Sequence, residues 1–178
     1  MKKGAFSSTI EQKALDFLSR DPHSSFYAAE IASRLGLSKG GVNQSLRKMA
    51  EEGLLRTEHK GRMIFYSVDP GSALVKQFKI LNNVAALQPL VGGIKDISQR
   101  AVLFGSCASG ENTGESDIDL FVVTDNKEKV KKLVLSNGRS REKIQLILKT
   151  PQEYMGFEKK EPVFFDEIAK GVVLWQKD

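Results

Sequence analysis

The segment Ser116-Asp117-Ile118-Asp119-Leu120-Phe121-Val122-Val123 alternates two acids with apolar residues and then becomes wholly apolar. Period-two alternation puts Asp117 and Asp119 on one face of a strand, with Ile118, Leu120 and Val122 on the other. Two carboxylates that close repel each other unless a cation intervenes. Hard oxygen ligands of this type suit Mg²⁺, which completes its octahedron with water and substrate phosphates. Upstream, Ala101-Val102-Leu103-Phe104 reads as a buried strand running into Gly105-Ser106, and ten residues separate Ser106 from Asp117. The glycine permits close backbone approach, and the serine can donate its hydroxyl and amide to a phosphate. Gly-Ser alone carries no signal and Asp-x-Asp a weak one. In the order strand, Gly-Ser, ten-residue spacer, Asp-x-Asp, apolar strand, they are the parts of a phosphate and metal site.

The run LFGSCASGENTGESDIDLFVV resembles the minimal nucleotidyltransferases of the DNA polymerase beta superfamily, and EPVFFDEIAKGVVLW resembles their closing helix and strand. The resemblance implies that Asp117 and Asp119 are the catalytic metal ligands, holding Mg²⁺ and a nucleoside triphosphate, and that Gly105 and Ser106 form the nucleotide-binding pair. A nucleoside monophosphate would pass to a hydroxyl, with release of pyrophosphate. Related small nucleotidyltransferases act as antitoxins on HEPN-domain toxins, so a HEPN-type toxin or another protein acceptor is the implied partner. The chain departs from the family pattern in two places. Cys107 and Ser109 stand where many relatives carry arginines. On the later strand Lys143-Ile144-Gln145-Leu146-Ile147-Leu148, Gln145 aligns with the family's third carboxylate, and an amide cannot act as general base. Glu142 would reach the site only if the strand bends.

Other reactive side chains have plainer readings. Cys107 has no histidine near it in sequence and reads as a space-filling thiol. A single cysteine excludes an intramolecular disulfide and a cysteine-only zinc site. His23 and His59 fall in a loop and a hairpin and suggest no ligand. Lys127, Lys129, Lys131 and Lys132 read as a solvated helix face, and Trp175 as core.

The elements that precede this module have a chemistry of their own. Thr9 caps a helix carrying Ile10, Ala14, Phe17 and Leu18 at helical spacing, which Asp21-Pro22 stops. A second helix is expected from Phe26 to Leu35, closed by Gly36, and Ser38 then caps a third from Lys39 to about Glu52. Val42, Leu46 and Met49 form the inner stripe of that third helix. Its outer face presents Lys39, Gly40, Asn43, Gln44 and Arg47: amides suited to adenine edges and cations suited to phosphate or guanine. The strands Leu54 to His59 and Met63 to Val68 flank a turn at Lys60-Gly61, displaying Lys60 and Arg62 at a hairpin tip. Over residues 9 to 68 the chain resembles the winged helix-turn-helix regulators. This resemblance implies double-stranded DNA as partner, contacted by Ser38, Lys39, Asn43, Gln44, Arg47, Lys60 and Arg62.

After Asp69-Pro70-Gly71, Ser72 caps a connector helix with Leu74, Phe78, Leu81 and Ala85 on one face, and Pro89 and Gly92-Gly93 break the pattern before another helix. That face could pack within the chain or pair two chains, and a homodimer is the expected assembly. The expected fold is α+β: a winged helix-turn-helix over 1–70, a connector helix over 71–84, and a nucleotidyltransferase-like mixed sheet flanked by helices over 85–178. Of the 178 residues 27 are Lys or Arg and 22 Asp or Glu, yet residues 1–100 carry a net +6 and the rest −1. No apolar run approaches the roughly 20 residues of a membrane helix, and the N-terminus lacks the apolar core of a secretory signal. A cytoplasmic protein without membrane contact is expected. Three functions fit: a DNA-binding regulator with an active nucleotidyltransferase, a regulator whose degenerate transferase domain senses a nucleotide or partner, and an enzyme whose winged helix only docks or dimerises.

Overall fold

A computed structural model describes residues 9–136 and 144–177. The chain divides into two compact units, 1–82 and 83–178.

The first unit opens with α1 (Ile10–Arg20), whose start is fixed by a capping box between Thr9 and Gln12. The expected second helix begins two residues late. Phe26–Tyr27 is instead a short strand, β1, and α2 runs from Ala28 to Leu35. Phe26 is buried, and β1 pairs antiparallel with Tyr66 and Phe65, so tertiary pairing overrides the helical pattern here. Gly36, at φ 62°, ends α2 in the left-handed conformation, and Ser38 Oγ accepts from the Gly41 amide to start α3 (Lys39–Glu51). The wing is the hairpin of β2 (Arg56–Lys60) and β3 (Met63–Ser67), and the sheet order is β1-β3-β2. Lys60 pairs with Met63, so the two-residue turn is Gly61-Arg62, one position beyond Lys60-Gly61. Gly61 takes φ 63° at the first turn position, as the II′ hairpin requires.

The core of this unit gathers Ala14, Leu18, Ile31, Val42, Leu46, Met49, Tyr66 and Val68. Ser45 ties α3 to α1 by donating to Glu11 at 2.8 Å. Leu46 is fully buried at the centre of α3. Leu46→Ala is expected to destabilise this unit by about 2–5 kcal/mol, the usual cost of a deleted core leucine, read as a lower denaturant midpoint.

Helix α4 (Ala73–Ile94) is a single 22-residue helix that continues through Pro89 and Gly92-Gly93, where a break was expected. Pro89 and both glycines are exposed, whereas Leu87, Leu90, Val91 and Ile94 are buried. The anchoring of this apolar face outweighs the roughly 3 kcal/mol that an interior proline costs. On the expected connector stripe Phe78 packs against the first unit's core whereas Leu74 and Leu81 are 60% and 45% exposed, and Val75 and Lys79, off the stripe, are buried.

In the second unit a 3₁₀ turn (Lys95–Ile97) leads to β4 (Arg100–Phe104), then α5 (Gly105–Ser109) and β5 (Ile118–Val123). These are followed by α6 (Lys127–Ser136), β6 (Ile144–Lys149), α7 (Pro151–Met155), α8 (Phe157–Lys160), α9 (Pro162–Ala169) and β7 (Val172–Gln176). The sheet order is β6-β5-β4-β7, with β5 and β6 parallel and the other pairs antiparallel. One sheet face, with Ala101, Leu103, Ile118, Leu120 and Val122, packs on the last turns of α4 and on α6. The other, with Val102, Phe104, Phe121 and Val123, packs on Phe157, Phe164 and Ile168. Trp175 lies against the first of these cores, as expected, and donates from Nε1 to the Ser98 carbonyl at 3.4 Å. Among the described residues no helix is long and apolar enough to cross a membrane.

Candidate functional site

Phe104 on β4 pairs with Asp119 on β5, so the end of one strand and the acidic start of the other lie side by side. The chain leaves β4 at Gly105 with φ 65° and enters α5 at once. A Cβ at Gly105 would come within 3.2 Å of Asp119 Cγ and closer still to its Oδ2. The glycine is therefore required twice, by its backbone conformation and by the carboxylate packed against it. Ser106 follows half-buried, and its carbonyl accepts from the Glu111 and Asn112 amides at 2.9 and 3.2 Å, closing the loop that returns to Asp117.

Regular pairing of β5 begins at Ile118, so Asp117 stands just before the strand instead of within it. Cys107 reaches its backbone: the buried thiol lies 3.5 Å from the Asp117 carbonyl and donates to it. Asn83 on α4 braces the same turn, donating to the Cys107 carbonyl at 2.9 Å and to Asn112 Oδ1 at 3.1 Å. Cys107 thus fills space, as its sequence context indicates, and also fixes the approach to Asp117. The part played by Asn83 has no sequence signal, because it depends on a contact 24 residues away.

Burial, the Asp117 carboxylate and Glu167, in that order, push the Asp119 carboxyl above its ordinary value. Glu167 belongs to α9 (Pro162–Ala169), on whose inner side Phe164 and Ile168 pack against the Asp119 face of the sheet. Sequence reading passed over it, since an exposed acid on a terminal helix looks like any solvated one. The negative charge gathered around Asp119 is of the kind that a divalent cation relieves. Among the described residues no group of three or more His, Cys, Asp or Glu is arranged to hold a metal ion. The donor set fits a cation that takes its other ligands from water and phosphate oxygens.

A carboxyl with a raised folded-state pKa favours folding when protonated. Its effect on stability is most favourable below the unfolded-state pKa and is lost as pH rises through the folded-state value. Asp119→Asn, which mimics the protonated form, is expected to raise the melting temperature at neutral pH without divalent cations and to flatten its dependence on pH. A variant melting below wild type under those conditions would remove the electrostatic strain inferred at this position.

Gln145 on β6 pairs directly with Asp119 in the parallel register, so both side chains share a sheet face. Gln145 therefore stands beside Asp119 on the neighbouring strand, and the group there is an exposed amide. Glu142 and Lys143 lie outside the described residues. Of the lysine cluster, Lys127 pairs with Glu153 at 2.6 Å and Lys131 with Glu128 at 2.8 Å. The Lys127 hydrogen bond, followed by the Thr150 amide, holds the Glu153 carboxyl down at about 2.

On the first unit, Ser38, Lys39, Gly40, Gln44 and Arg47 are exposed and Asn43 is half-buried, whereas Val42, Leu46 and Met49 are buried. Ser38 spends an oxygen lone pair on its cap, which leaves its hydroxyl proton for an outside acceptor. At the wing, Lys60 contacts Glu58 at 2.9 Å and lies 4.8 Å from the Phe65 ring centroid. Arg56 pairs with Asp69 at 2.9 Å. Exposed pairs of this kind are worth about 1 kcal/mol or less and yield readily to a phosphate. His59 and His23 are exposed.

Comparison with known proteins agrees with this division. Residues 95–178 match the family model of the polymerase beta nucleotidyltransferases. Residues 13–62 match that of the MarR family. The chain joins a winged-helix unit of the MarR type to a nucleotidyltransferase-like unit. Among solved structures it is similar to reduced HlyU from Vibrio cholerae, at 25% identity over 45% of this chain and 80% of that one, with a TM-score of 0.37. It is also similar to a protein from Sulfolobus solfataricus assigned as a nucleotidyltransferase, at 17% identity over 60% of this chain and 92% of that one, with a TM-score of 0.41. No curated protein matches the chain.

Proposed function

We propose that this is a DNA-binding transcriptional regulator whose second unit binds a nucleoside triphosphate with Mg²⁺ and transfers a nucleoside monophosphate to a hydroxyl of a protein partner. The observation that carries the reading is the apposition of Gly105 and Asp119. The backbone at Gly105 and Ser106 offers donors to the phosphates, and Asp117 and Asp119 hold the cation. Mg²⁺ held by Asp117 and Asp119 would neutralise the charge on the phosphate oxygens. In the first unit Lys39, Asn43, Gln44 and Arg47 enter the major groove of double-stranded DNA, while Ser38, Lys60 and Arg62 contact its backbone. The setting is the cytoplasm, and the active form is a homodimer reading a two-fold operator.

The exposed amide of Gln145 beside Asp119 favours a second reading, in which the unit binds nucleotide and senses it without turnover. Incubation with α-labelled nucleoside triphosphate, Mg²⁺ and cell lysate separates the two. Label that appears on a protein with wild type and not with Asp117→Ala or Asp119→Ala supports transfer. Mg²⁺-dependent binding without label supports sensing, and label transferred equally by all three removes the assigned site. For DNA, Arg47→Ala and Lys60→Ala are each expected to weaken binding and to lower its salt dependence by about one unit in the log–log slope. Unchanged binding in both variants would remove the assigned face and wing.

A further inference from the structure

Arg100 opens β4 at the end of the sheet opposite Gly105, about 16 Å away at a strand's usual rise per residue. The guanidinium donates from Nη1 to Tyr154 Oη at 3.0 Å, and its centre lies 5.9 Å from the Tyr154 ring centroid. Among the described residues, its Nε is the one buried side-chain nitrogen or oxygen that lacks a hydrogen-bond partner. Nor does any described carboxylate stand within ion-pair distance of Arg100. A half-buried cation with no counter-charge is costly, and an orphaned buried donor in a native fold commonly marks the place of a water or an ion.

A cavity of about 380 Å³ opens at this position, lined by Gln99, Arg100, Val123, Tyr154, Gln176 and Lys177. Among the described residues the lining offers two cations, two amides and a phenol, and no acid. Its walls are pinned through the main chain, with the Gln99 backbone N–H donating to the Val123 carbonyl and the Lys177 backbone N–H to the Gln99 carbonyl, both at 2.8 Å, which leaves the side-chain amides of Gln99 and Gln176 out of these bonds. The volume lies near the lower end of small-molecule sites, which run from roughly 300 to 1,000 Å³. On the same sheet face, Phe121 stacked on Phe157 at 5.7 Å fills the space between this cavity and Asp119, so one ligand does not bridge both.

We propose that this cavity is a second binding site, for a small oxyanion of the carboxylate or phosphate-ester class. Arg100 and Lys177 supply its counter-charge, and the Gln99 and Gln176 amides donate to its remaining oxygens. The planar guanidinium suits a bidentate oxyanion, and the added negative charge offsets the desolvation that leaves Nε without an acceptor. The site is independent of the nucleotide reading, because none of its lining residues belongs to the Gly105, Ser106, Asp117 and Asp119 set.

The test is calorimetric titration of the full chain with inorganic phosphate and, in a parallel arm, with citrate, both against chloride at equal ionic strength. Saturable binding is expected in at least one arm, with phosphate alone identifying a phosphate-ester ligand and citrate alone a carboxylate. Arg100→Gln should weaken it by about 10-fold or more, the loss of a charge-assisted hydrogen bond. Lys177→Gln, near the end of the chain, gives the same readout if Arg100→Gln fails to fold. Ser106→Ala and Asp119→Asn should bind as wild type, since they alter only the other end of the sheet. No saturable heat in either arm, or equal affinity in the folded Arg100 or Lys177 variants, overturns the site. Binding that is lost in Ser106→Ala and kept in Lys177→Gln overturns it as well, by moving the anion to the nucleotide end.

Discussion

Gly105→Ala is expected to abolish Mg²⁺-dependent nucleotide binding while leaving the protein folded. A side chain at φ 65° costs about 1–2 kcal/mol, which a folded unit of this size can tolerate. The larger effect falls on function. The new methyl would occupy the space of the Asp119 carboxylate, and because that carboxylate is the free end of a side chain, it swings away instead of breaking the fold. The acid then leaves the position in which the proposed function has it face the phosphates. Titration of nucleotide with and without Mg²⁺ reads the loss, and thermal unfolding reads the smaller stability change. Gly93→Ala is the matched control: that glycine is exposed in α4 with nothing within 4 Å of the added atom, so no loss of binding is expected. Retained nucleotide binding in Gly105→Ala would show that the close approach to Asp119 has no role in it.

Gln145→Glu is the second change with a large expected effect, and it acts in the opposite direction. The substitution exchanges amide for carboxylate at constant length, on an exposed position whose pairing with Asp119 is already set. A positioned general base typically contributes 10²–10⁴-fold, so label transfer is expected to rise by roughly 100-fold or more over wild type. The variant should also be less stable than wild type without divalent cations, because a third negative charge joins Asp117 and Glu167 around Asp119. Mg²⁺ should then stabilise the variant more than wild type. Transfer equal to that of wild type would mean that position 145 is not where the missing proton acceptor is needed.

The first unit was legible in sequence wherever structure follows from local chemistry. The Thr9, Gly36 and Ser38 caps and the stripe of Val42, Leu46 and Met49 depend on neighbours within a turn or two. The second unit was legible through one dense motif, since Gly105, Ser106, Asp117 and Asp119 follow one another within fifteen residues. What escaped depends on distant partners. Phe26-Tyr27 becomes a strand only because Tyr66 and Phe65 are there to receive it. Pro89 breaks nothing because the buried face around it is anchored elsewhere. Lys79 is buried although it lies off the expected connector stripe, and Glu167 reaches the field of Asp119 only once α9 has packed on the sheet. Arg100 gave no sequence signal at all, because an unpaired donor is visible only when its surroundings are.

The pairing of Gln145 with Asp119 has a genetic consequence. Glutamine and glutamate codons differ by a single first-position base. A parallel register cannot slip by one residue without turning the whole strand face over, so the position stays beside Asp119 whatever occupies it. The chain therefore stands one nucleotide substitution from a sheet face carrying a carboxylate on each of two adjacent strands. A population carrying this gene samples that variant by ordinary point mutation, and whether it is retained or purged reports which state of the site is useful to the cell.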